Sequence, residues 1–168
     1  SEAELHETRQ LLEAAVAQSP LGILIARGAD VEIQIANPAS LEIHGIDLKN
    51  SEGIYALKDY SAWHAYHPDG TPYPFEELPL CRALLQGKTT SNEEFIISDI
   101  QGVRHWISVN AAPIRDPEGT IISAIVLIED ISERKRAEET RLHLQARLAQ
   151  AEKMESIGRL AGGVAHDF

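Results

Sequence analysis

The residues of this 168-residue chain best suited to chemistry are His166 and Asp167, close to its last position. The apolar residues around them share one arc of a helical wheel: Ile157, Ala161, Val164 and Phe168. At 100° per residue, His166 points about 160° away from the centre of that arc, so its imidazole is predicted to face solvent. An exposed neutral imidazole can act as a nucleophile or carry a proton near pH 7.

The other histidines and the single cysteine carry weaker signals. A haem needs an axial histidine beside an apolar pocket, and His64 and His67 are the two candidates for that ligand, although a surface or loop position is the commoner interpretation. We predict no metal site, because the remaining histidines have no metal-ligand spacing with one another: His6, His44, His105 and His143. Cys81 is predicted to be an ordinary buried cysteine.

Composition narrows the class of protein. A hydrophobic content of 43% is enough for a packed core. Of the net charge of −11, residues 133–168 carry +1, from seven basic and six acidic residues, which leaves −12 for residues 1–132. Nucleic-acid binding is therefore disfavoured, since phosphate contacts need clustered Lys and Arg. No apolar run reaches the roughly 20 residues of a membrane span, and one cysteine suits a reducing compartment, so we expect a cytoplasmic location.

The pattern of residues 1–128 predicts an α+β domain around one antiparallel sheet. A helix is expected over 2–18, ended by Ser19-Pro20, and another over 77–85, closed by Gly87. The run from His67 to Pro74 is predicted to be a loop, and the segments around it to be short helices. Five apolar or alternating segments are predicted to be strands: 21–27, 31–36, 93–98, 103–114 and 121–128.

A long helix is predicted from Ser132 to the last residue, with Ser132 as its N-cap. Leu144, Leu148 and Ala151 form one apolar seam, and a second seam continues from Met154 with a coiled-coil spacing. Between Leu148 and Ile157 the steps are 3-3-3, which resembles a stammer. Because this seam has no partner within the chain, we expect a homodimer formed through the C-terminal coiled coil.

Three groups of motifs in residues 19–132 resemble the PAS domains, a family of small sensor folds. The motifs are Ile35–Gly45 with its Asn37-Pro38 helix entry, Pro68–Pro72 with Leu80–Gly87, and Trp106–Ile114 followed by Asp130-Ile131-Ser132. The resemblance implies a five-stranded antiparallel sheet with helices on one face. It also implies that Asn37, Asp130, Ile131 and Ser132 transmit a signal from the sheet to the following helix. Asp130 either accepts hydrogen bonds at this junction, from backbone amides or a linker arginine, or is a solvated acid at a strand end.

The segment Glu152–Phe168 closely resembles the phosphoacceptor helix of sensor histidine kinases. The resemblance implies that His166 accepts phosphate from ATP and that Asp167 orients its ring. It also implies ATP and magnesium as cofactors of the parent chain, with a kinase ATP-binding domain and a response-regulator receiver domain as partners. The ATP-binding boxes of that family are not in this sequence, so the chain by itself is expected to be inactive.

These resemblances divide the chain into four parts: an amphipathic helix over 1–18, a PAS domain over 19–132, a coiled-coil signalling helix over 133–153 and the start of the phosphoacceptor domain over 154–168. Flavin-binding PAS relatives carry their reactive cysteine in an Asn-Cys-Arg-Phe-Leu-Gln motif, whereas Cys81 lies in Leu80-Cys81-Arg82. Photoactive flavin chemistry is therefore not expected. The alternative function is a ligand- or haem-binding PAS module that dimerises or binds partners without phosphotransfer.

Overall fold

The computed structural model describes residues 1–46 and 64–167, with side chains up to residue 164. The predictions that fall on residues 47–63 lie outside this range. In chain order the elements are α1 (Glu2–Gln18), β1 (Gly22–Arg27), β2 (Glu32–Ala36), α2 (Pro38–Ile43), β3 (His64–Tyr66), β4 (Pro72–Tyr73), a 3₁₀ turn (Phe75–Glu77), α3 (Pro79–Gln86), β5 (Thr90–Ser98), β6 (Arg104–Arg115), β7 (Ile121–Asp130) and α4 (Ser132–Asp167).

The α+β architecture agrees with the prediction, but the described sheet has seven strands instead of five. Their order is β2-β1-β7-β6-β5-β3-β4, and every neighbouring pair is antiparallel. The two additional strands form a hairpin in which Ala65 lies opposite Tyr73, partly within the segment predicted to be a loop. Strands of three and two residues are too short to show an alternating pattern, and Pro72 is tolerated because β4 is an edge strand.

The core lies on one face of the sheet, against α2 and α3. Side chains alternate between the two faces of a strand, and in β6 Ile107, Val109 and Ala111 are buried. Helix α3 packs on β6 and β7, and α2 packs on β1. Helix α3 ends where the sequence predicts, because Gly87 adopts φ +68° and donates its N–H to Ala83 O at 3.1 Å.

The chain divides into two compact units, Ser1–Ile131 and Ser132–Phe168. The second is α4, one helix of 36 residues whose first residue is Ser132, so the helix begins one position earlier than a helix capped by Ser132 would. A helix of this length extends about 54 Å. Its large apolar side chains are exposed, among them Leu148 at 61% and Leu160 at 68%.

Candidate functional site

An apolar cavity of about 90 Å³ lies between the sheet and the helices of the first unit. Its walls come mainly from aliphatic residues of the central strands and of α3, with Phe95 as the aromatic contribution. Two histidines, His44 and His64, also line it. A cavity of this volume can hold a ligand of a few heavy atoms, whereas pockets for drug-sized ligands measure roughly 300 Å³ or more.

The two haem-ligand candidates are placed differently. His64 lies at the start of β3 and contributes to the cavity wall. His67 lies outside the cavity lining, in the β3–β4 turn, where its ring stacks on Tyr73 with 4.1 Å between centroids. Of these two candidates, only His64 is therefore placed to reach a group in the cavity.

Asn37 joins three elements through one buried amide. Its Oδ1 accepts hydrogen bonds from Ile23 N–H at 2.7 Å and Ser40 N–H at 3.0 Å, and it thereby caps α2. Its Nδ2 donates to Val16 O and Leu21 O, both at 2.9 Å. The end of α1, the start of β1 and the start of α2 are therefore joined by one side chain that is 2% exposed.

A histidine between two carboxylates lies at the end of the sheet where β7 finishes. His105 Nε2 is 3.0 Å from Asp99 Oδ2, and His105 Nδ1 is 3.1 Å from Asp130 Oδ2. Burial alone would raise the pKa of Asp99, but hydrogen bonds from His105 and from the Val103 and Gln101 amides lower it below its ordinary value. Asp130 thus takes part in a hydrogen-bonded cluster, although its side chain is 36% exposed.

His44, at the end of α2, connects this cluster to the cavity. Its Nδ1–H donates to Ser40 O at 2.6 Å, and burial lowers the pKa of His44 to about 4 despite that bond. Its carbonyl accepts the Ile100 N–H at 3.2 Å. The next residue, Gly45, has φ +71°, and a Cβ there would lie 3.2 Å from Asp99 Cγ. The end of α2 is therefore packed directly against Asp99.

The predicted signal-transmission residues Asp130, Ile131 and Ser132 follow one another where the sheet ends and α4 begins. The Ile131 N–H donates to Trp106 O at 2.8 Å, and the Ile131 side chain is 2% exposed. His166 and Asp167 lie in the last turn of α4, and their side chains are outside the described part. They remain predictions as the phosphoacceptor and its orienting acid.

Sequence reasoning missed the roles of His44, Asp99 and His105. Asp99 falls between the strands predicted over 93–98 and 103–114, and the sequence presents the two histidines only as possible metal ligands. A signal was present in the predicted strand order. In an antiparallel meander the end of β5, the start of β6 and the end of β7 lie side by side at the same end of the sheet. Asp99, His105 and Asp130 occupy those three positions.

Two features are absent from residues 1–46 and 64–167, whose side chains are described up to residue 164. No group of three or more His, Cys, Asp or Glu side chains among them is placed to hold a metal ion. Within the same residues, no helix has both the length and the apolar character that crossing a bilayer requires.

A seven-stranded antiparallel sheet, helices on its inner face, a small apolar cavity and a helix leaving the last strand define a sensor domain. Residues 16–136 match the family described as the PAS fold, and the chain belongs to that family. This agrees with the prediction from the sequence motifs.

Known proteins similar to this chain include a histidine kinase. The Escherichia coli (strain K12) signal transduction histidine-protein kinase AtoS is 36% identical over 61 residues, which are 36% of this chain and 9% of AtoS. The chain thus matches only a small part of that relative's length.

Solved structures support the fold. A sensory box histidine kinase/response regulator from Burkholderia thailandensis E264 has a TM-score of 0.55 at 17% identity, covering 83% of this chain and 98% of that one. An RNA-binding light-oxygen-voltage receptor has a TM-score of 0.60 at 18% identity, covering 82% of this chain and 37% of that one.

Proposed function

We propose that this chain is the sensory and signal-transmitting region of a two-component sensor histidine kinase. The PAS domain responds to an input, α4 carries the response through a dimeric coiled coil, and His166 accepts phosphate from ATP bound to a kinase domain. The phosphate then passes to an aspartate of a response regulator. Magnesium and ATP belong to the kinase domain, and Asp167 orients the His166 ring.

One observation carries this proposal: the last strand of a PAS sheet leads, through Ile131 alone, into an unbroken 36-residue helix that contains His166. A sensor domain and a phosphoacceptor motif are thus separated by helix only, which suits transmission by a rotation or a change of register. The short identity to AtoS supports the same class of protein.

Phosphorylation of His166 tests the proposal. The chain is incubated with Mg-ATP and the ATP-binding domain of a histidine kinase, and acid-labile, base-stable phosphate is measured. We expect labelling of the wild type and its complete loss in His166→Ala, because no other side chain of the motif offers an imidazole nitrogen. The matched control is His143→Ala, another histidine of α4, which is exposed and should leave labelling unchanged. Equal labelling of both variants, or none of the wild type, would contradict the proposal and favour a PAS module without phosphotransfer.

Dimerisation through α4 is the second expectation. Leu144 and Leu148 lie on the predicted seam, whereas Leu142 is about 160° away from Leu144 around the helix. All three are more than half exposed in the single chain. Leu148→Glu places an unpaired carboxylate in the seam and should raise the dimer dissociation constant about 100-fold or more. Leu142→Glu is the control with the same chemistry and should remain dimeric by light scattering at micromolar concentration. A monomeric wild type would contradict the coiled coil.

A further inference from the structure

His105 contacts two acidic side chains, but a neutral imidazole has only one N–H to donate. With both acids ionised, the contacts of Nε2 with Asp99 at 3.0 Å and of Nδ1 with Asp130 at 3.1 Å are both hydrogen bonds only in the imidazolium. When the ring loses one proton, one of the two contacts brings a lone pair against a carboxylate. One of the two acids must then be released.

The two acids differ in what their release costs. Asp99 is 5% exposed, and its Oδ1 accepts the N–H groups of Gln101 and Val103, both at 2.9 Å. These bonds fix its position, so loss of His105 would leave Oδ2 buried without that partner, which is unfavourable. The Asp130 side chain is 36% exposed and can be solvated by water. The neutral ring should therefore keep its proton on Nε2, facing Asp99.

We propose that His105 is a proton-operated latch at the output end of the sheet. The imidazolium joins Asp99 to Asp130, and the neutral ring keeps Asp99 and releases Asp130. Asp130 is the last residue of β7 and precedes Ile131, so the latch holds the end of the strand that leads into the output segment. The signal that leaves the PAS domain then depends on whether the His105 ring is doubly protonated or neutral.

Several described elements of the first unit bring charged or titratable side chains near the His105 ring. Asp99 comes from the β5–β6 turn, Asp130 from β7 and His44 from the end of α2. On β3, His64 lies opposite Ser98, next to Asp99. On its own strand, the Arg104 guanidinium lies 4.5 Å from the centroid of the Tyr66 ring.

The latch also has a connection to the cavity. His44 lines the cavity, and its carbonyl accepts the amide of Ile100, the residue after Asp99. Gly45 lies against the Asp99 side chain. A displacement of the end of α2 by a cavity ligand would therefore move Asp99 and, through His105, the end of β7. Protonation of His105 and binding of a ligand in the cavity would then act on the same contact, the one between His105 and Asp130.

Nuclear magnetic resonance of the isotopically labelled full chain, in a pH series that runs from the doubly protonated ring to the neutral ring, tests the latch. At the acidic end we expect protons on both ring nitrogens of His105. At the basic end Nδ1 should have lost its proton while Nε2 keeps it, and the Asp130 carboxylate signal should move in the same step. Loss of the Nε2 proton instead, or an Asp130 signal that does not follow the ring, would overturn the proposal.

Variants separate the latch from general effects on the fold. Amide exchange at Ile131, corrected for the intrinsic dependence on pH, should be several-fold faster in the wild type with the neutral His105 ring than with the imidazolium. His105→Gln should abolish this difference, whereas His6→Gln, at an exposed position on α1, should retain it. Asp130→Asn, which leaves the Asp99–His105 bond in place, should also abolish it. A difference that persists in Asp130→Asn would refute the latch, and these readouts do not depend on whether His166 is phosphorylated.

Discussion

Replacing Asn37 with alanine is expected to lower the free energy of unfolding by about 3 kcal/mol. The change removes four hydrogen bonds of 2.7 to 3.0 Å made by a side chain that is 2% exposed. The backbone groups of Ile23 and Ser40 lose their acceptor, and the carbonyls of Val16 and Leu21 lose their donor. Each buried polar group left unpaired costs about 1–3 kcal/mol, and water entering the site offsets part of the total.

Asn37→Asp distinguishes the linking role of Asn37 from ordinary helix capping. At a simple N-cap, aspartate and asparagine are nearly equivalent. Here the second carboxylate oxygen would face Val16 O and Leu21 O instead of donating to them. We therefore expect Asn37→Asp to destabilise the domain about as much as alanine does.

Urea denaturation at pH 7 measures both effects. The control is Asn110→Ala, whose hydrogen bonds with Asn92 are exposed, and it should cost less than about 1 kcal/mol. Wild-type stability in Asn37→Asp would show that the hydrogen bonds donated to Val16 O and Leu21 O contribute nothing.

Acid should destabilise the PAS domain through His44 well before its carboxylates are protonated. Burial lowers the pKa of His44 from 6.5 to about 4 in the folded protein. Above pH 6.5 the ring is neutral in both states and contributes no dependence on pH. As pH falls from 6.5 to 4, the unfolded chain binds a proton that the folded protein does not, so the free energy of unfolding decreases. Below pH 4 both states are protonated and the contribution levels off.

This linkage amounts to about 2 kcal/mol between pH 7 and pH 5, rising to about 3 kcal/mol near pH 4. His44→Asn keeps an N–H near the position of Nδ1 and removes the titration. Its stability at pH 7 should fall because the smaller side chain leaves a cavity, but it should lack this pH-dependent loss. Urea denaturation of both proteins from pH 7 to pH 4.5 measures the difference. Parallel pH profiles for the two proteins would contradict the assignment to His44.

The sequence predicted the elements whose signals are local. Gly87 closes α3 because a left-handed residue is needed there, and Asn37-Pro38 begins α2 with a capping side chain and a proline at the first helical position. The apolar run rich in β-branched residues over Ile121–Ile128 was enough to predict β7. The hairpin of β3 and β4 was missed because strands of three and two residues are defined by their partners and have no periodicity of their own.

What the sequence by itself determined is the order of the longer elements, the PAS class and the long helix that contains His166, because periodicity, turns and motifs are properties of neighbouring residues. Only the tertiary structure decided that Asn37 binds Val16 and Ile23, or that His105 lies between Asp99 and Asp130. Those contacts join residues 6 to 25 positions apart and require an approach of about 3 Å, which depends on strand register and on the packing of α2 against the sheet.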